Sequence, residues 1–113
     1  MTTTYDRYIQ NTEAQMRKGI LELCMLFVLA DGKERYASDL LDTLKKKQLI
    51  VVEGTLYPLL NRLRSEGLLE HTWQESQSGP PRKYYKLTEK GRHALTTLKT
   101  SWDTLAGTVS SLH

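Results

Sequence analysis

The chain has 113 residues, with sixteen Lys and Arg against thirteen Asp and Glu, for a formal net charge of +3. That length supports one domain with a modest core and excludes a two-domain protein. So small a net charge excludes a generally polybasic chain, and any charged partner must be met by a local concentration of cations.

The polar N-terminus lacks a basic region followed by an apolar one, so no signal peptide is expected. Thr12-Glu13-Ala14-Gln15 has the form of a capping box and predicts a first helix from about residue 13 to Ala30, ended by Asp31-Gly32-Lys33. From Ile20 to Ala30 apolar residues cover nearly the whole circumference, interrupted by Glu22. The stretch is about half the length needed to span a bilayer, so it reads as a buried helix and not a membrane one. Burial on every side exceeds the cover that one small domain supplies, and a partner chain is expected to complete it. Cys24, among Leu23, Met25, Leu26 and Phe27, reads as a core filler. As the one cysteine it excludes an intrachain disulfide and fits a reducing, cytoplasmic setting.

A second helix is predicted from about Tyr36 to Lys47, burying Leu40, Leu41 and Leu44. Its Lys45-Lys46-Lys47 end is solvated, where cations suit the helix dipole. Leu49-Ile50-Val51-Val52 links it to a third helix. There Leu56, Leu59, Leu60 and Leu63 fall at i, i+3, i+4 and i+7, one narrow apolar stripe. The opposite face carries Gly54, Pro58, Asn61 and Ser65, flanked by Thr55, Tyr57, Arg62 and Arg64, and has no bulky aliphatic group. Pro58 places the start near Gly54 or Thr55, because a proline deeper in the helix breaks its hydrogen bonds. Gly67 ends the helix in a left-handed conformation.

Leu68–Glu75 and Arg82–Leu87 read as two strands joined by Ser76-Gln77-Ser78-Gly79-Pro80-Pro81. Tyr85 and Leu87 share one strand face, Tyr84 and Lys86 the other. Residues 82–92 gather Arg82, Lys83, Lys86, Lys90 and Arg92 against a single acid, Glu89. Thr88 is placed to cap a last helix. Along that helix Leu95, Leu98, Trp102, Leu105, Val109 and Leu112 are spaced 3, 4, 3, 4, 3, a heptad-type seam. The expected fold is therefore mainly α with a small β-hairpin. Residues 1–88 form a winged helix-turn-helix domain, and residues 89–113 form a long C-terminal helix that pairs two copies of the chain.

At this point particular residues resemble one family. Gly54-Thr55-Leu56-Tyr57-Pro58, Arg62-Leu63, Gly67-Leu68-Leu69, Trp73, Gly79-Pro80-Pro81-Arg82-Lys83-Tyr84-Tyr85 and Leu87-Thr88-Glu89-Lys90-Gly91 together are similar to the PadR-like transcriptional regulators. Arg17-Lys18-Gly19-Ile20-Leu21-Glu22-Leu23 is similar to that family's first helix, so the likeness covers about residues 17–102. The single short terminal helix resembles the smaller subfamily. Membership implies a dimeric repressor, often released from its operator by a small molecule. Two positions depart from the usual pattern: Ala37 follows Tyr36 where the family has glycine, and Arg64 stands where it has an acid.

These readings give roles to individual residues. A helix in the major groove reads base edges through side chains near its N-terminus, which places Thr55, Tyr57, Pro58 and Asn61 there, next to Gly54. Asn61 can pair bidentately with adenine, while Tyr57 and Arg62 suit phosphates. Arg82 and Lys83 supply charge at the hairpin tip, and Tyr36 lies within reach of a phosphate. Dimer symmetry implies a palindromic duplex operator. Trp102 stands mid-seam, where a coiled coil prefers an aliphatic residue, and can hold the two terminal helices apart. Some members of the small subfamily have a tryptophan there that lines a pore and stacks planar drugs, so a small aromatic effector is implied, with simple packing as the alternative.

Enzyme chemistry is not expected. His71, His93 and His113 have no metal-ligand spacing, and no phosphate loop, nucleophile elbow or paired buried carboxylate is present, so no cofactor is expected. The rival from another class is a winged helix that binds protein. Steep salt dependence of duplex DNA affinity distinguishes the two.

Overall fold

The computed structural model describes residues 3–49, 51–76 and 79–113. Its element order is α1 (Thr4–Val28), β1 (Arg35–Tyr36), α2 (Ala37–Lys46), α3 (Glu53–Ser65), β2 (Leu69–Ser76), β3 (Gly79–Leu87) and α4 (Glu89–Ser111). The mainly helical fold with a small sheet is as expected, with three differences of detail.

First, α1 begins nine residues earlier than the Thr12 box predicts. Thr3 is the N-cap: its Oγ1 accepts from the Asp6 N–H at 3.0 Å, and the Asp6 carboxylate accepts from the Thr3 N–H at 3.3 Å. Two capping boxes compete in the sequence, and the upstream one starts the helix. Second, the sheet has three strands in the order β1-β3-β2, because Arg35 and Tyr36 pair with Tyr85 and Tyr84. Third, Gly79, Pro80 and Pro81 belong to β3 and not to a loop. β1 pairs only with Tyr84 and Tyr85, and the β2–β3 register shifts between Gln74 and Ser76, so both prolines stand at an irregularity of the ladder, where a strand tolerates them. Gln77 and Ser78, within the predicted hairpin turn, lie outside the described residues, as does Ile50 of the predicted linker.

The core joins α1, α2, α3, β2 and β3. Leu21, Met25, Leu26 and Leu29 of α1 meet Ala37, Leu40 and Leu44 of α2, Leu56, Leu60 and Leu63 of α3, and Leu69, Tyr85 and Leu87 of the sheet. The predicted stripe of α3 is thus buried, with Leu59 half-buried at its edge, and Gly54, Pro58, Asn61 and Ser65 are exposed on the other face. Pro58 lies one or two residues further into α3 than expected, since the helix opens at Glu53; the carbonyl it releases is that of Gly54, which faces solvent. The end of α3 is a Schellman motif. Gly67 has φ +79°, its N–H donates to the Arg64 carbonyl at 2.9 Å, and the Leu68 N–H donates to the Leu63 carbonyl at 2.9 Å. Thr88 caps α4, its Oγ1 accepting from the Gly91 N–H at 2.9 Å.

The body does not cover α1 and α4 along their length. The radius of gyration is 16.4 Å, against about 13 Å for a compact chain of roughly 100 residues. Within Ile20–Ala30 Phe27 is exposed, so the all-round burial read for that stretch is not met there within one chain, and upstream of it Tyr5, Tyr8, Ile9 and Met16 of α1 are exposed as well. On α4, Leu95 packs against the core, and the seam then leaves the body, its exposure rising from 38% at Leu98 and 41% at Trp102 to 79% at Leu112. Cys24 is partly buried beside the core, where burial pushes its thiol pKa up and keeps it unreactive. Among the described residues no helix is long and apolar enough to cross a membrane.

Candidate nucleic-acid interface

The sequence places Tyr57 and Asn61 one helical turn apart on the exposed face of α3, and the fold sets the hairpin beside them. Between them lies an open cleft of about 490 Å³, lined by Tyr36, Ala37, Ser38, Tyr57, Asn61, Pro81, Arg82, Lys83 and Tyr85. Five of the expected contact residues therefore converge from three elements: Tyr36 from the end of β1, where it is the N-cap of α2, Tyr57 and Asn61 from α3, Arg82 and Lys83 from β3.

Aromatic packing holds these groups in place. The Tyr36 and Tyr84 rings lie 3.7 Å apart with a 35° tilt, and the Arg82 guanidinium sits 5.1 Å from the centre of the Tyr36 ring. Interaction with the Tyr36 hydroxyl pushes the Tyr84 hydroxyl pKa up to about 12. Lys83 is aligned likewise, its Nζ 5.2 Å from the Trp73 ring centre. Tyr85 closes the floor: it is buried, and burial pushes its hydroxyl up, with Tyr57 adding to the effect and Arg64 opposing it. Behind the cleft, Asp31 grips Arg35 through two bonds of 2.6 and 2.8 Å, which lock the turn leading into β1. Glu34 accepts from Gln74 Nε2 at 2.8 Å and ties that turn to the hairpin.

The other named α3 residues face a different way. Thr55, Pro58 and Arg62 line a shallow groove against Lys18, Gly19, Leu21 and Glu22 of α1. Arg62, expected to be free for a phosphate, instead pairs with Glu22 at 3.1 Å. Gly54 stands in the open with no heavy atom near a would-be Cβ. Ser38 and Pro81 line the cleft but carry no chemistry that stands out in a sequence. Ser38 shows only as a small polar residue in the first turn of α2, the turn that crosses the DNA backbone in helix-turn-helix proteins. The departure at Ala37 is absorbed, since its methyl is buried in the core, and Arg64 is an exposed cation near Tyr85.

Three helices closed by a wing, with a polar helix face and two aligned cations in one cleft, define a winged helix-turn-helix of the kind that reads duplex DNA. Residues 25–97 match the model of the transcriptional regulator PadR-like family. A PadR-like transcription factor from Bacteroides fragilis is 53% identical in sequence, with 91% of this chain and 99% of that one covered and a TM-score of 0.75. A PadR family transcriptional regulator from Eggerthella lenta, 32% identical, superimposes over 96% of this chain and 94% of its own at a TM-score of 0.85. Transcriptional regulator Rv3488 of Mycobacterium tuberculosis is 34% identical over 92 residues, 81% of this chain and 84% of that protein. The chain belongs to the PadR-like family: it is a regulator of transcription of the DNA-binding kind and not an enzyme.

Proposed function

We propose that the chain is a homodimeric, sequence-specific repressor acting in the cytoplasm, with residues 1–88 as reader and residues 89–113 as dimerisation helix. The observation that carries this reading is the cleft in which Tyr36, Tyr57, Asn61, Arg82 and Lys83 converge. The N-terminal half of α3 lies in the major groove, where Asn61 meets a base edge; Thr55 and Pro58, on the side turned toward α1, lie at the margin of the contact, and Gly54 allows close approach of the helix backbone. Arg82 and Lys83 hold phosphates beside it, with Tyr36 and Tyr57 as hydroxyl donors. Arg62 reaches a phosphate by leaving Glu22, an exposed pair whose loss costs about 0–1 kcal/mol. Two copies read a palindrome, and a palindrome so occupied is closed to the transcription machinery.

Arg82→Ala with Lys83→Ala removes two phosphate contacts from each of two copies, and is expected to weaken binding to all duplexes and reduce the slope of log affinity against log salt by about 4. Asn61→Ala is expected to keep that slope and lose roughly 1–3 kcal/mol of discrimination at one base pair. Mobility-shift titrations across salt concentrations measure both. Unchanged operator affinity in both variants would exclude the cleft as the reading face, and a flat salt dependence in the wild type would favour a protein partner.

The second copy is supported by the exposed seam Leu98, Trp102, Leu105, Val109 and Leu112, continuous with core-packed Leu95, and by the uncovered apolar residues of α1. In this reading Trp102, mid-seam and 41% exposed, lines a space near the dyad that takes a planar aromatic effector. Trp73 is also exposed, at 62%, so its fluorescence must be removed first. In a Trp73→Phe background, planar aromatic compounds are expected to quench the remaining emission and lower operator affinity. Saturable quenching without a change in operator affinity would sink the regulatory role.

A further inference from the structure

The basic cluster of residues 82–92 does two separate jobs. Arg82 and Lys83 face the cleft, but Lys90 and Arg92 point away from it, each onto the C-terminal end of another helix. Lys90 Nζ donates to the carbonyl of Glu66, the C-cap of α3, at 2.8 Å. Arg92 Nη1 donates to the carbonyl of Ala30, just past the C-cap of α1, at 3.2 Å. The turns they cover are built alike. Gly32 and Gly67 each have φ +79°, and a Cβ there would lie 2.8 Å from Arg92 Nη2 and 3.6 Å from Lys90 Nζ.

Helix dipoles make this placement informative. Cations near the N-terminus of α4 oppose that helix's own dipole, so they do not serve α4. They suit the negative ends of α1 and α3, and α1 has no basic residue of its own in its last turn. Thr88 completes the joint. Its Oγ1 lies 2.7 Å from the Gly67 carbonyl, and its N–H donates to the Leu68 carbonyl at 3.1 Å. The first turn of α4 is thereby bolted to the ends of both the recognition helix and the first helix.

We infer that Lys90 and Arg92 are positioning residues that set the half-site spacing the protein accepts. The inference rests on the dimeric reading above. Helix α4 is roughly 35 Å long at about 1.5 Å per residue, and its seam is fixed by the partner copy. Its angle at the joint therefore decides where each α3 lies relative to the dyad. One base pair of extra spacing moves a half-site by about 3.4 Å and turns it by roughly 35°. A rigid joint rejects that change, and a loosened one follows it.

The test is selection from a duplex pool with randomised half-sites and spacers, using the full-length protein. The wild type is expected to select one spacing, with spacings one base pair away depleted more than about tenfold. Lys90→Met with Arg92→Met keeps the side-chain stems and removes the donors. It is expected to select the same half-sites while neighbouring spacings rise to within about threefold of the best. Lys90→Arg with Arg92→Lys is expected to keep the single spacing, which controls for a fold defect. If the Met variant keeps the narrow spacing, the inference fails. If it loses affinity equally at every spacing with a shallower salt slope, these residues are phosphate contacts and the inference fails as well. A wild type that selects isolated half-sites overturns the dimeric reading and the inference together.

Discussion

Gly91→Ala is expected to be the most damaging single methyl that can be added to this chain. A Cβ at residue 91 would stand 2.2 Å from the Leu68 carbonyl oxygen, 2.7 Å from Leu87 Cδ1 and 3.1 Å from Leu87 Cγ. The oxygen cannot withdraw, because it accepts from the Thr88 N–H at 3.1 Å and lies 3.0 Å from Thr88 Oγ1. Leu87 cannot move freely either, being 3% exposed in the core. Relief would require α4 to lift from the sheet, breaking the cap and the joint at once. The cost is about 3 kcal/mol or more, or roughly 10–20 °C in melting temperature for a domain of this size. Gly107→Ala is the control: its Cβ would meet nothing within 4 Å in the same helix, and relief of glycine's entropy cost stabilises by roughly 0.5–1 kcal/mol. Thermal melts followed by circular dichroism separate the two. Equal melting temperatures would mean that α4 does not approach the sheet as closely as this.

The same region shows what the sequence can and cannot reveal. The start of α4 was legible, since Thr88 and Glu89 before an apolar heptad pattern form a local signal. So were the stripe and Gly67 end of α3, and the pairing of Tyr85 with Leu87 on the inner strand face. The misreadings share a cause in contacts distant along the chain. β1 is two residues long, too short for any periodicity, and exists because Tyr84 and Tyr85 come to lie beside it. The basic cluster reads as one patch along the chain, yet the fold turns Arg82 and Lys83 toward the cleft, and Lys90 and Arg92 toward helix ends 24 and 62 residues upstream, respectively. Arg62 looked free because its partner Glu22 lies on another helix. The early start of α1 has the opposite origin: a local signal was present at Thr3, but the helix beyond it is exposed and carries no core-facing stripe to mark it.

Leu105→Asp with Val109→Asp is expected to leave the reader folded and abolish its grip on a palindrome. Both residues are 60% exposed in the single chain, so they add little to the stability of an isolated copy. Across a dyad the same residues would face their counterparts, and four carboxylates would enter an apolar seam unpaired. That costs several kcal/mol, more than a seam of under three heptads can offset. The variant is expected to sediment as a monomer at micromolar concentration. Its half-sites then bind independently, and the loss of effective concentration lowers operator affinity by about 10²–10⁴. Binding to an isolated half-site should change little, because Tyr57, Asn61, Arg82 and Lys83 are untouched. The two measurements must agree. A variant that stays dimeric moves the interface away from α4, toward the exposed face of α1, and a monomer with full operator affinity would remove the dyad from the mechanism altogether.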